Sequence, residues 1–150
     1  MYCYDYRISL GVQHPTEAGA GIAARLDLEP AFSRDVGTGY RDHDGTLIRV
    51  HAATRVVFVL QRGKDGWLMD AWPALIDLLR ARADVIRELL QEGAGIGLRV
   101  GIFGKTAWAG FELDPQLLRL MADLQLDFQV ETYFPDPADT TGASETSADT

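Results

Sequence analysis

Residues that could do chemistry are few in this chain, and they gather in one stretch. Asp42-His43-Asp44-Gly45, with His51 nearby, supplies two carboxylates and two imidazoles. Such a set can hold a divalent ion or act as acid and base. The D-x-D-G pattern is like the opening of a calcium-binding loop, yet the later ligands and the closing glutamate are absent. Asp before Gly is also ordinary turn chemistry. Gly19-Ala20-Gly21-Ile22-Ala23-Ala24 matches G-x-G-x-x-A, the spacing that brings a pyrophosphate to a helix N-terminus. Pro15 places the helix start ahead of those glycines, so they are expected to lie inside the helix as a small packing face. No acidic strand end follows about 20 residues on, as that motif requires.

Nucleophilic chemistry has less support. Cys3 is the single cysteine and has no base beside it in sequence. No G-x-S-x-G elbow and no H-E-x-x-H occurs. His14, next to Pro15, reads as a polar turn residue. The reading is therefore no catalytic residue, no metal ligand set and no cofactor. Aromatic residues offer binding chemistry instead. Trp72 lies on an apolar helix face and is expected in the core. Trp67 and Trp108 flank turns or strand ends, where an indole can anchor a partner. An irregular segment over 31–46 presents Arg34, Tyr40, Asp42 and Asp44.

Charge narrows the partners. The chain has 150 residues, 14 basic and 22 acidic, for a net charge of −8. Asp136, Asp139, Glu145 and Asp149 lie in the last stretch, 135–150, which has no Lys or Arg. Phosphate recognition needs clustered basic residues, so nucleic acid and anionic membranes are not expected partners. A basic protein is. Hydrophobic residues make up 47%, enough for a core, but no apolar run approaches a membrane span. The lone cysteine and the lack of a basic, apolar leader give a cytoplasmic expectation.

The elements that must position these residues follow from periodicity. Residues 4–12 alternate as a half-buried strand. A helix follows from Pro15 to about Leu28. Strands are predicted over 47–51 and 55–61, the second covered on both faces because Val56–Leu60 is wholly apolar. Gly63–Gly66 reads as a turn. Asp70 caps a long amphipathic helix that runs to Glu92-Gly93. A strand over 96–103, a hairpin partner over 106–113, a helix from Asp114-Pro115 and a strand over 126–133 complete the body. The sum is one α+β domain over 1–134, with a disordered acidic tail over 135–150. Its sheet is mixed or antiparallel, of about five to six strands, with three helices mainly on one face. Pro15 and Pro115, Leu26 and Leu126, and Asp27 and Asp127 share one offset, which is open to chance or to two strand–helix–strand pseudo-repeats.

Certain residues carry a resemblance. His14-Pro15-Thr16-Glu17, Leu26-Asp27-Leu28-Glu29-Pro30, and then Ser33-Arg34 and Gly37 resemble the start of the bacterial family catalogued as domain of unknown function 4279. Phe111-Glu112-Leu113-Asp114-Pro115, Leu117-Leu118, Leu126-Asp127-Phe128 and Glu131-Thr132-Tyr133 resemble its end. The likeness spans residues 4–134 and departs over 38–68, where Trp67 stands close to the following helix. It implies no activity and no catalytic residues. Small acidic proteins of this kind are often immunity proteins that neutralise a toxin, an analogy of class. The functional expectation is a non-enzymatic module that occludes a basic protein partner through Arg34, Tyr40, Asp42, His43, Asp44, His51, Trp67 and Trp108. The alternative is a metal-dependent or small-ligand module built on Asp42, His43, Asp44 and His51.

Overall fold

Alternation in the first stretch produces the strand it predicts. In the computed structural model, which describes residues 4–105 and 108–134, Tyr4–His14 is β1. Tyr6, Ile8, Leu10 and Val12 are buried along one face, as a period of two demands. The chain continues through α1 (Gly19–Leu26), β2 (Phe32–Arg34), β3 (Gly39–Arg41), β4 (Leu47–Val50) and β5 (Thr54–Gly66). A single 3-10 turn over Leu68–Ala71 leads into α2 (Trp72–Ala81) and α3 (Ala83–Gln91). Then come β6 (Gly95–Gly104), α4 (Pro115–Asp123) and β7 (Asp127–Tyr133). No helix among the described residues is long and apolar enough to cross a membrane.

The main sheet is mixed, in the order β2-β5-β1-β6-β7. Central β1 runs antiparallel to both β5 and β6, while β7 lies parallel to β6. The buried face of β1 meets Val56 and Phe58 from β5 and Ile96, Leu98, Val100 and Ile102 from β6. Ile22, Leu79, Ile86, Leu89, Leu117 and Leu124 join the same cluster from the helical side. The α+β class and the mixed sheet are as the sequence led us to expect. The second sheet is a separate ribbon, β3 against β4.

Local physics corrects several boundaries. The long helix is two helices, broken at Arg82, which leaves helical geometry at φ −110°, ψ 6°. Its guanidinium donates to the carbonyls of Leu26 (2.7 Å) and Asp27 (3.1 Å) at the end of α1. That seat satisfies orphan helix carbonyls with a cation at the negative pole of the dipole. The described residues accordingly hold four α-helices. Asp70 sits within the 3-10 turn, and Ala71 occupies the N-cap position of α2 with no side-chain cap. Residues 63–66 extend β5, because Tyr4 and Tyr6 of β1 pair with Gly66 and Gly63. Residues 31–46 hold β2 and β3. Residues 108–114 form no strand, and 106–107 lie outside the described residues, as does the acidic stretch 135–150. Trp72 Nε1 donates to Glu112 O (2.7 Å) and Tyr4 Oη to Gly110 O (3.1 Å), which ties this irregular stretch to the core.

Both outer strand–helix–strand units close alike. Asp27 and Gln125 adopt left-handed φ of 52° and 51° directly after the fully buried Leu26 and Leu124. Leu28 N then donates to Ala23 O, and Leu126 N to Met121 O, the Schellman pattern. The structural echo therefore pairs Leu26 with Leu124, two residues from the offset visible in the sequence.

Candidate functional site

Of the residues singled out in the sequence, Tyr40, Asp42, His43, Asp44 and His51 fall on one arm, and Arg34 lies beside it. Among the described residues, β3 and β4 pair only with each other in the backbone ladder. The arm's base is closed by Gly37 N to His51 O and His51 N to Thr38 O, each 2.9 Å. Its tip is a turn built by Asp42, whose Oδ1 accepts from the amides of Asp44 (3.0 Å) and Thr46 (2.8 Å). Gly45 takes φ 80° there, a conformation that glycine adopts without steric cost. Arg41 Nη1 donates to Gly45 O at 2.9 Å, and the Arg49 guanidinium stacks over the Tyr40 ring at 5.7 Å.

Asp42, His43 and Asp44 thus share the tip, whereas His51 stands at the base. His43 Nε2 lies 3.2 Å from Asp44 Oδ1, with both side chains in solvent. The His51 imidazole is pushed toward its neutral form by desolvation and by the charges of Arg34 and Arg49. Two guanidinium groups beside an imidazole repel a metal ion as they repel a proton. The four residues of the metal reading do not form a cluster with ligand atoms within 4.8 Å of one another. Arg34 lies on β2 beside the arm. Trp67 follows the last residue of β5 and is half-buried, and Trp108 is 73% exposed on the irregular stretch. Neither indole belongs to an element of the arm.

Sequence reasoning named Tyr40 of the arm but missed the apolar residues of β4. Leu47 (48% exposed), Ile48 (58%) and Val50 (54%) sit on β4, and Tyr40 (52%) on β3. The run Leu47-Ile48-Arg49-Val50 signals a strand, but no local pattern tells that the strand leaves the body. An isolated two-stranded ribbon is marginal in water, and the exposed apolar side chains of this one, spread over both its faces, are available to a partner.

Among the described residues, His14, Glu17 and Glu92 do bring ligand atoms within 4.8 Å. Their bonds are already committed. His14 is buried, and its Nδ1 accepts from the amides of Thr16 (3.1 Å) and Glu17 (2.9 Å). The ring proton therefore rests on Nε2, 3.0 Å from Glu92 Oε2. Arg25 fills the space between the acids, at 2.6 Å from Glu17 and 2.8 Å from Glu92. Arg25 and His14 hold the Glu92 carboxyl down at about 2. This is a capping and ion-pair network with its cation built in.

The glycine motif also resolves into packing. Gly19 and Gly21 open α1 instead of lying deep inside it, because the helix starts only at Gly19. A phosphate has no place there: the Gly19 amide donates to Asp35 Oδ1 at 2.7 Å. A Cβ on Gly19 would run into Ser33 Oγ and come within 2.9 Å of Val56.

Comparison with known proteins comes down to one family. No curated protein and no solved structure matches the chain. Residues 6–135 match the family model described as Domain of unknown function (DUF4279), which spans the sheet and all four helices. The chain belongs to the DUF4279 family.

Proposed function

We propose that this chain is a non-enzymatic protein-recognition module that neutralises a basic partner by covering it, with the β3–β4 arm as the leading contact. The observation that carries this reading is the arm's exposed apolar set, Tyr40, Leu47, Ile48 and Val50. Burying such side chains against a partner is favourable by about 25 cal/mol per Å² of apolar area. Asp42 and Asp44 at the tip would face the partner's basic rim. The arm itself is balanced, with Arg41 and Arg49 against Asp42 and Asp44. The net charge of −8 therefore acts mainly on encounter rate, by steering a basic protein in from a distance. The alternative, a metal-dependent or small-ligand module on Asp42, His43, Asp44 and His51, has less support, because the tip holds the first three while His51 stands at the base of the arm.

The test is capture from the native cell with the wild-type chain and an Ile48→Ser/Val50→Ser variant as parallel baits. A stoichiometric basic protein held by the wild type and lost by the variant, with melting temperature unchanged, supports the reading. Equal capture by both baits, or none by the wild type, overturns it.

A further inference from the structure

The sheet face turned away from the helices is concave and holds a trough of about 890 Å³. Val57 and Val59 floor it, which explains the wholly apolar run of β5: one set faces the core, the other this trough. Its charge is opposite to that of the chain. Arg7 on β1 stands directly across from Arg62 on β5. At the other end Arg34 on β2 stands directly across from Arg55. Like charges in cross-strand register repel, so each pair leaves a place for an anion. The carboxylates on this face are largely engaged: Asp5 with Lys105, and Glu131 with Arg99 at 3.3 Å. Among the described residues that line the trough, Asp127 is the one acid, against Arg7, Arg55, Arg62 and Arg99. Arg34 Nε is buried with no hydrogen-bond acceptor among the described residues, a donor that calls for a partner.

The neighbouring backbone is open as well. β5 spans Thr54–Gly66, but β2 covers its outer edge only opposite Arg55, Val56 and Val57. Among the described residues no strand pairs with that edge beyond Val57. Arg62 and Lys64 lie along it, which discourages pairing with a second copy of this chain. The same charges favour an acidic strand.

We propose that an acidic peptide of a partner protein, in extended conformation, adds as a strand to the free edge of β5 and sets its carboxylates on the arginine-lined face. Strand addition supplies main-chain hydrogen bonds, and alternate side chains supply specificity. A carboxylate opposite Arg62 would also relieve its repulsion with Arg7. From the Arg7 row to the Arg55 row the face runs six residues of β1, or about 20 Å. A peptide of that length confines its charge to the basic face, whereas a longer polyanion meets the acidic remainder of the molecule. This surface is independent of the arm.

Fluorescence anisotropy tests it with a labelled nonapeptide of alternating Glu and Val. The controls are its Lys/Val counterpart, a backbone N-methylated Glu/Val form and an oligothymidylate of equal length. Saturable binding of the Glu/Val peptide is expected, weakened at least about tenfold by Arg62→Glu and by N-methylation. Arg62→Gln without peptide is expected to melt about one or two degrees higher, since it removes the like-charge pair. Absence of Glu/Val binding, binding that survives Arg62→Glu or N-methylation, or tighter binding of the oligothymidylate would each overturn the proposal.

Discussion

His14 serves the fold as a capping and bridging residue. Its ring fixes two backbone amides after β1 and reaches Glu92 across the fold. His14→Ala would leave the partly buried amides of Thr16 and Glu17 without their acceptor and is expected to cost about 1–3 kcal/mol by chemical denaturation. Glu92 gives the network its pH dependence. Its folded value of about 2 lies below the ordinary 4.5, so the contribution is complete above 4.5 and fades as pH falls toward 2. The melting temperature should drop through that window in the wild type and drop less in Glu92→Gln. Zinc should leave the melting temperature unchanged, because Arg25 holds the acids. A rise with zinc would show that the ion displaces the guanidinium. These roles were partly legible: His14-Pro15-Thr16-Glu17 marked the family, and a turn role for His14 followed from Pro15. Glu92 and Arg25 could not be joined to it, since their contact spans the whole body and leaves no local pattern.

At the scale of elements, close approach decides what small residues are for. Gly19 lets α1 rest against β2 and β5, and Gly19→Ala is expected to cost about 1–3 kcal/mol by overpacking Ser33 and Val56. The sequence put Gly19 inside the helix because Pro15 is a common helix opener. In the fold Pro15 lies in the bend before it, and the Asp35 carboxylate serves the helix start. The break between α2 and α3 was equally hidden. Leu75, Leu79, Ile86 and Leu89 keep an apolar stripe through it, while the reason for the break is Arg82 reaching the end of α1. Alternation served well where a strand had one covered face, as in β1. It misled for β5, where apolar side chains on both faces look like full burial although one set lines an open trough. The arm strands, short and wholly exposed, carry no burial pattern at all.

For the whole molecule, the family match, the α+β class and the mixed sheet agree with the sequence reading, because they rest on residues spread along the entire chain. The surface was legible only in net charge. Which side each arginine faces is set by strand register, and register depends on long-range pairing. The core and the surfaces should therefore respond differently to substitution. Leu10→Ala, in the fully buried centre of β1, is expected to cost about 2–5 kcal/mol. Ile48→Ser, on the exposed arm, is expected to change stability by about 0.5 kcal/mol or less. The central claim is that the arm is where a partner binds. A photo-crosslinking residue placed at position 48 in living cells tests it most directly, with one at the exposed helix position of Arg87 as control. One basic protein is expected to be joined at position 48 and absent from the control. No adduct at 48, or the same adducts from both positions, would contradict it.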